Sequence, residues 1–241
     1  AREMTYLASA RYNQFRCVDI ANYRLAIEAL AENGYWVFRL GDPSSARLEI
    51  DHRRVVDLPH HPRYDPLLDP ALIARSRFSI MSSSGPEALS RSYGTPMLLA
   101  NCHVQHTIAC NDDDVLLFKR YRLADSDRYL SYAEILDRGL ALGDTTAFFE
   151  DHGIVLEENT AEDLREAVLE MQARTEGVFA GDEEIDRRFR TIGGAYATDF
   201  AARPLVGRDH RLPDMIFYGF GSPTVNMCQS FCRTHPSWLD A

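Results

Sequence analysis

Lysine is almost absent from this chain. Of 26 basic residues only Lys119 is a lysine, and the rest are arginine. A genome-wide codon preference accounts for the general scarcity, but it leaves one lysine standing where arginine is the habit. A basic stripe is also absent, and the formal net charge is −10, so a nucleic-acid-binding surface is not expected. No apolar run reaches the roughly 18 residues of a membrane span, and no signal peptide is visible. The five cysteines, Cys17, Cys102, Cys110, Cys228 and Cys232, are odd in number and match no zinc spacing. Free thiols in a reducing, cytoplasmic setting are expected. No G-x-G-x-x-G follows a strand, which argues against a dinucleotide site. Gly219-Phe220-Gly221-Ser222-Pro223 does not flank its serine as a hydrolase elbow does.

What is present is enough apolar material, 45% of 241 residues, for a sizeable core. The chain is organised around Arg77 to Asn101. Phe78, Ile80 and Met81 suit a short buried strand. Ser82-Ser83-Ser84-Gly85 follows as a loop, with Pro86 and Glu87 placed for a first helical turn. Ala88, Leu89 and Tyr93 face inward on that helix, Gly94 ends it, and Pro96 to Ala100 is the next strand. This is one unit of an open α/β sheet, where ligands sit outside the carboxyl ends of strands. Two readings fit the serine loop equally. It is a cradle for an anion such as a diphosphate, or an ordinary loop capped by serine.

On either side the pattern continues. Asp19 can cap a helix whose face is Tyr23, Ile27 and Leu30, ended by Asn33-Gly34. Tyr35 to Leu40 is a strand, so Arg39 lies near a strand end. It is either an ion-pair partner for a nearby carboxylate or a clamp for phosphate. Val55 to Leu58 is a short strand, and Leu67 to Ser76 a helix. Val115 to Phe118 is a strand ending at Lys119-Arg120. Ser131 to Glu134 has the capping-box form, Gly139 to Gly153 reads as loop with about one helical turn, and Ile154 to Leu156 is extended. Thr160 caps a helix to Arg174, with Leu164, Val168 and Met171 on its face. A second helix covers Asp182 to Ala202, and Ser222 can cap a last one reaching Thr234. His60, His61 and Asp65 fit no metal-ligand spacing, and the lone pair His103 and His106 falls short of a ligand set. Asn111 to Asp114 reads as a turn or solvated acidic loop, with a divalent cation beside a nucleotide as the alternative, and no metal is expected.

The fold class expected is therefore α/β: a Rossmann-like, open, mostly parallel sheet flanked by helices, with a helical C-terminal tail. Residues 1–160 would form the sheet domain and residues 161–241 a helical extension packed on it.

Five sets of residues also carry a family resemblance. They are Arg2-Glu3 with Tyr6; Arg16 with Asp19-Ile20 and Asn22-Tyr23; Gly34 to Asp42; Phe78 to Gly85 with Gly94-Thr95-Pro96 and Asn101; and Glu158-Asn159-Thr160 before a helix. In this order and spacing the chain resembles a family of bacterial glycosyltransferases found with surface-polysaccharide genes. The likeness covers most of the chain to about Arg174 and includes the closing Pro236 to Leu239. Family members carry a His two residues ahead of the position of Arg2, and this chain opens on Ala1, so preceding sequence is expected. The region around Asp65 departs from the family pattern.

The resemblance implies the C-terminal, donor-binding half of a two-Rossmann-domain glycosyltransferase with an N-terminal domain ahead of it. Its substrates would be a nucleoside-diphosphate sugar and a glycan or lipid-linked acceptor, with no cofactor and no metal. Arg2, Arg39, Ser82, Ser83, Ser84, Gly85 and Lys119 would hold the diphosphate, since each falls at an expected strand end. Glu3 and His103 are candidate bases for the acceptor hydroxyl. Two rivals remain open: a non-catalytic nucleotide- or sugar-binding module, and a sugar-nucleotide epimerase or hydrolase on the same scaffold.

Overall fold

The structure, a computed structural model, describes residues 13–105, 110–202 and 226–240. Local signals start and stop most of its elements. The Asp19 carboxylate accepts from the Ala21 amide and opens a 3₁₀ turn, Ile20–Tyr23, that runs into helix α1 (Arg24–Glu32). Strand β1 (Val37–Arg39) pairs in parallel with β2 (Val55–Asp57). Then come α2 (Leu68–Arg75), β3 (Ser79–Met81), α3 (Glu87–Tyr93) and β4 (Met97–Cys102), the strand, loop, helix and strand expected of the central stretch. Gly94, at φ 67°, closes α3 in the left-handed conformation that glycine adopts without strain.

Strand β5 (Val115–Phe118) is followed at once by β6 (Arg120–Leu123). Helix α4 (Tyr132–Asp137) begins at a full capping box between Ser131 and Glu134. Helix α5 (Thr146–Asp151) and strand β7 (Ile154–Glu157) lead to α6 (Ala161–Glu176), which opens on a second capping box, Thr160 with Asp163. The chain closes with α7 (Glu183–Ala202), β8 (Asn226–Met227) and α8 (Gln229–Thr234).

The main sheet runs β3-β4-β5-β8, and every pairing in it is parallel. Parallel strands with covered faces read as continuous apolar runs, and here Met97 to Ala100 and Val115 to Phe118 are all buried. Each such Leu or Val stabilises the fold by roughly 1.5–3 kcal/mol. The 3₁₀ turn brings Tyr23 to the core, α1 brings Ile27 and Leu30, and α6 brings Leu164, Val168 and Met171. The protein is thus an α/β structure with a Rossmann-like parallel sheet flanked by helices. Among the described residues, the segment beyond residue 160 contributes α6, α7, α8 and a 3₁₀ turn (Pro236–Leu239), and also β8, the strand hydrogen-bonded along β5. Among the described residues no helix is long and apolar enough to cross a membrane.

Five local expectations are corrected. The buried face of α3 is not Ala88, Leu89 and Tyr93: Ala88 and Tyr93 are exposed, and Ser90 is the buried residue, its hydroxyl bonded to that of Ser79. The strand expected over Tyr35 to Leu40 is only Val37–Arg39, and Trp36 is largely exposed. The stretch Gly139 to Gly153 is more helical than expected. It holds a 3₁₀ turn and α5, whose start is fixed by the Thr145 hydroxyl accepting from the Phe148 amide. The strand expected to stop at Lys119-Arg120 resumes as β6, because Arg120 to Leu123 find an antiparallel partner in β7. The last helix begins after Cys228, not at Ser222. The chain first pairs with β5 as β8, and the Gly219 to Ser222 turn lies outside the described residues.

Candidate functional site

Because the main-sheet strands are parallel, their carboxyl ends share one edge, where open α/β sheets bind ligands. Met81 leads into Ser82, Cys102 into His103, and Phe118 into Lys119. A bulge disturbs this edge: the β4–β5 register shifts between Ala100 and Cys102. Asn101 sits in it at φ 52°, the one non-glycine residue with positive φ among the described residues. Asparagine tolerates that region because its short amide bonds locally. The Asn101 Oδ1 accepts from the Asn159 amide (2.7 Å) and from Asn159 Nδ2 (2.9 Å), while Asn101 Nδ2 donates to the Tyr23 hydroxyl (3.2 Å). Asn159 Nδ2 also donates to the Phe118 carbonyl, so the knot joins β4, β5, the 3₁₀ turn before α1 and the start of α6.

Over this edge lies the segment from Asn13 to Tyr23, tied at four points. The Phe15 amide donates to Thr146 Oγ1, and Lys119 Nζ donates to the Cys17 carbonyl at 2.6 Å. The Glu158 carboxylate accepts from the Asp19 amide and Asn22 Nδ2, and Tyr23 joins the Asn101 knot. Phe15 packs its ring edge-on to His103, with centroids 4.8 Å apart. The next residue, Arg16, is thereby carried to a cleft of about 260 Å³ that Ser83, Ser84, Gly85, Glu87 and His103 also line.

The cleft is polar and incompletely satisfied. Ser83 Oγ, His103 Nδ1 and Glu87 Oε2 are each buried with no hydrogen-bond partner among the described residues. Ser83 is 8% exposed and His103 is 4% exposed. A buried polar atom without a partner costs about 1–3 kcal/mol, so a ligand that reaches one gains more than it would at a hydrated surface. Burial pushes the His103 imidazole down to about 4, and the nearby Arg16 and Lys119 cations push the same way. The ring is therefore neutral at neutral pH. Burial pushes Glu87 up against the pull of Arg91, which holds its other oxygen at 3.2 Å. Burial likewise pushes Lys119 down, opposed by the charge of Glu158.

Of the residues singled out in the sequence, Ser83, Ser84, Gly85 and His103 meet in this cleft. Ser82 begins the loop, and its carbonyl accepts from Ser84 Oγ. Lys119 stands at the same edge but spends its ammonium on the Cys17 carbonyl, so it braces the segment carrying Arg16. Arg39 does not line the cleft. Its guanidinium binds Asp57 at 2.9 Å and Ser45 Oγ at 2.6 Å, the ion-pair alternative raised for it in the sequence. Arg2, Glu3 and His106 lie outside the described residues.

Sequence reasoning had assigned no part in the site to Arg16, Glu87 or the Asn101–Asn159 knot. The available signal was their membership in the recurring sets Arg16 to Tyr23, Phe78 to Asn101 and Glu158 to Thr160, which the structure gathers at one edge. Among the described residues no group of three or more His, Cys, Asp or Glu side chains is arranged to hold a metal ion. Comparison of the chain with protein-family models, with curated proteins and with solved structures finds no match.

Proposed function

We propose that the protein is a glycosyltransferase, or the donor-binding half of one, and that the cleft at the carboxyl edge receives the diphosphate of a nucleoside-diphosphate sugar. One observation carries this reading: an arginine, a serine–glycine loop and a buried histidine, from three separate segments, converge on one under-satisfied cleft. Arg16 supplies the positive charge and a planar donor fork suited to phosphate oxygens. Ser83 and Ser84 supply hydroxyl donors. The cleft volume is below that of a typical ligand pocket, so it suits the diphosphate alone, with base and sugar reaching beyond it. That a sugar is the transferred group rests on the resemblance of the sequence motifs to polysaccharide glycosyltransferases.

In such a transfer the bond between sugar C1 and the β-phosphate oxygen breaks, and its electron pair stays on the diphosphate. An acceptor hydroxyl oxygen forms the new bond to C1 and loses its proton to a base. Negative charge grows on the diphosphate, where Arg16 and the hydroxyl donors offset it without reorganising. His103 lies where a proton can be moved at that leaving group.

The test is a melting-temperature series with nucleoside diphosphates and nucleotide sugars, using wild type and Arg16→Ala. A ligand at 100 times its Kd stabilises the native state by about 2.7 kcal/mol. The expected result is a rise with one nucleotide that Arg16→Ala abolishes, followed by sugar transfer to an acceptor glycan. No rise with any nucleotide sinks the donor-site reading. Binding without transfer, with a full acceptor set present, favours the non-catalytic binding module.

A further inference from the structure

His103 is a buried ring in the wall of the cleft. Its ring is walled by Phe15 at 4.8 Å and Phe149 at 6.3 Å, both edge-on, so water does not solvate an added charge. Two cations act on it, Arg16 from the overlying segment and Lys119 from the end of β5. From α3 the cleft presents Glu87, whose charge is shared with Arg91. Glu158, before α6, acts on Lys119. Its neighbour Cys102 is a fully buried thiol, which burial holds protonated. Nothing among the described residues bonds to Nδ1. A neutral imidazole has one nitrogen with a proton and one without, and only a ring protonated on both donates from both.

We propose that an anion enters this cleft together with a proton, which His103 takes up, so that the ring holds the diphosphate as a cationic donor and is not the base for the acceptor. The inference rests on the donor-site reading above. The physical cause is the exchange of neighbours. An empty cleft leaves two cations and a dry wall opposing a charge on the ring. A dianion beside Arg16 cancels that repulsion and adds attraction of its own. Ser83 Oγ, also unpartnered, belongs to the lining of the same cleft and is a hydroxyl donor for the anion. The protonated ring then stands ready to give its proton to the leaving diphosphate as the C1–O bond breaks. The diphosphate departs one proton richer, and the ring returns to neutral.

The experiment is calorimetric titration of inorganic diphosphate into the whole chain, at one pH between 6 and 7.5, in buffers of different ionisation enthalpy. The dependence of the observed heat on buffer enthalpy counts protons taken up. His103→Gln removes the ring and reports the uptake due to the diphosphate's own titration. Glu87→Gln removes the other group in the cleft able to take a proton. The inference expects uptake in wild type to exceed that in His103→Gln, and Glu87→Gln to match wild type. Wild-type affinity should fall about tenfold per pH unit once pH passes the value of the bound ring, after correction by His103→Gln. Binding with the same uptake in wild type and His103→Gln overturns the inference and leaves the donor site standing. Excess uptake lost in Glu87→Gln and kept in His103→Gln also overturns it, and assigns the proton to Glu87. No binding of diphosphate at all removes the donor site and this inference together.

Discussion

Replacing Asn101 by alanine should remove the device that holds the carboxyl edge together. Three hydrogen bonds end on this side chain, and two of them serve Asn159, which is 1% exposed. The Asn159 amide would lose its acceptor among the described residues, while Nδ2 would keep the Phe118 carbonyl for one of its two hydrogens. Each buried donor left without an acceptor costs about 1–3 kcal/mol. Asparagine and alanine carry the same Cβ at φ 52°, but alanine loses the local bonding that offsets its strain of roughly 1–2 kcal/mol. The sum is about 2–5 kcal/mol, which for a chain of this size lowers the melting temperature by about 10 °C. Asn101→Gly removes the same hydrogen bonds but not the backbone fit, so it should be about 1 kcal/mol more stable than Asn101→Ala. Urea unfolding followed by circular dichroism on both variants measures the two differences. A loss below about 1 kcal/mol in Asn101→Ala, or a glycine variant no more stable than the alanine one, would show that the knot does not carry the edge.

Further consequences are open to direct measurement. Asp114 accepts from the Met97 and Asn111 amides, yet burial pushes its carboxyl up to about 6. The folded state then binds the proton more tightly than the unfolded one, so stability present below about pH 4 is lost as pH rises through about 6. Wild type should lose about 2 kcal/mol relative to Asp114→Asn between pH 4 and 7 in paired denaturant melts, and a pH-independent difference would refute it. Among the cysteines, Cys17 is exposed, Cys102, Cys228 and Cys232 are buried, and burial pushes the half-buried Cys110 thiol up to about 12. A thiol reagent should therefore label one cysteine rapidly in the native protein and all five after denaturation, with mass spectrometry of the digest placing the fast label on Cys17.

The parts of this protein written in its sequence are those that nearest neighbours decide. Ser131 and Thr160 start helices because an acid three residues on completes each capping box, and Gly94 ends one because it accepts positive φ. The buried runs Met97 to Ala100 and Val115 to Phe118 announce a parallel sheet because both their faces must be covered. The place of the loop Ser83 to Gly85 at the sheet's carboxyl edge was legible for the same local reason, since a strand end feeding a helix points there. Roles set by distant partners were not legible. Arg39 and Lys119 look alike in the sequence, two cations at strand ends. Only the fold brings Asp57 to one and the Cys17 carbonyl, 102 residues away, to the other. Arg16 was an ordinary loop arginine until Phe15, Lys119 and Glu158 fixed its segment across the sheet edge. A hydrogen bond is short-ranged and sequence periodicity carries no record of which far segment will supply it. The framework of caps and apolar runs was therefore decided locally, and the gathering of the cleft was decided by tertiary packing.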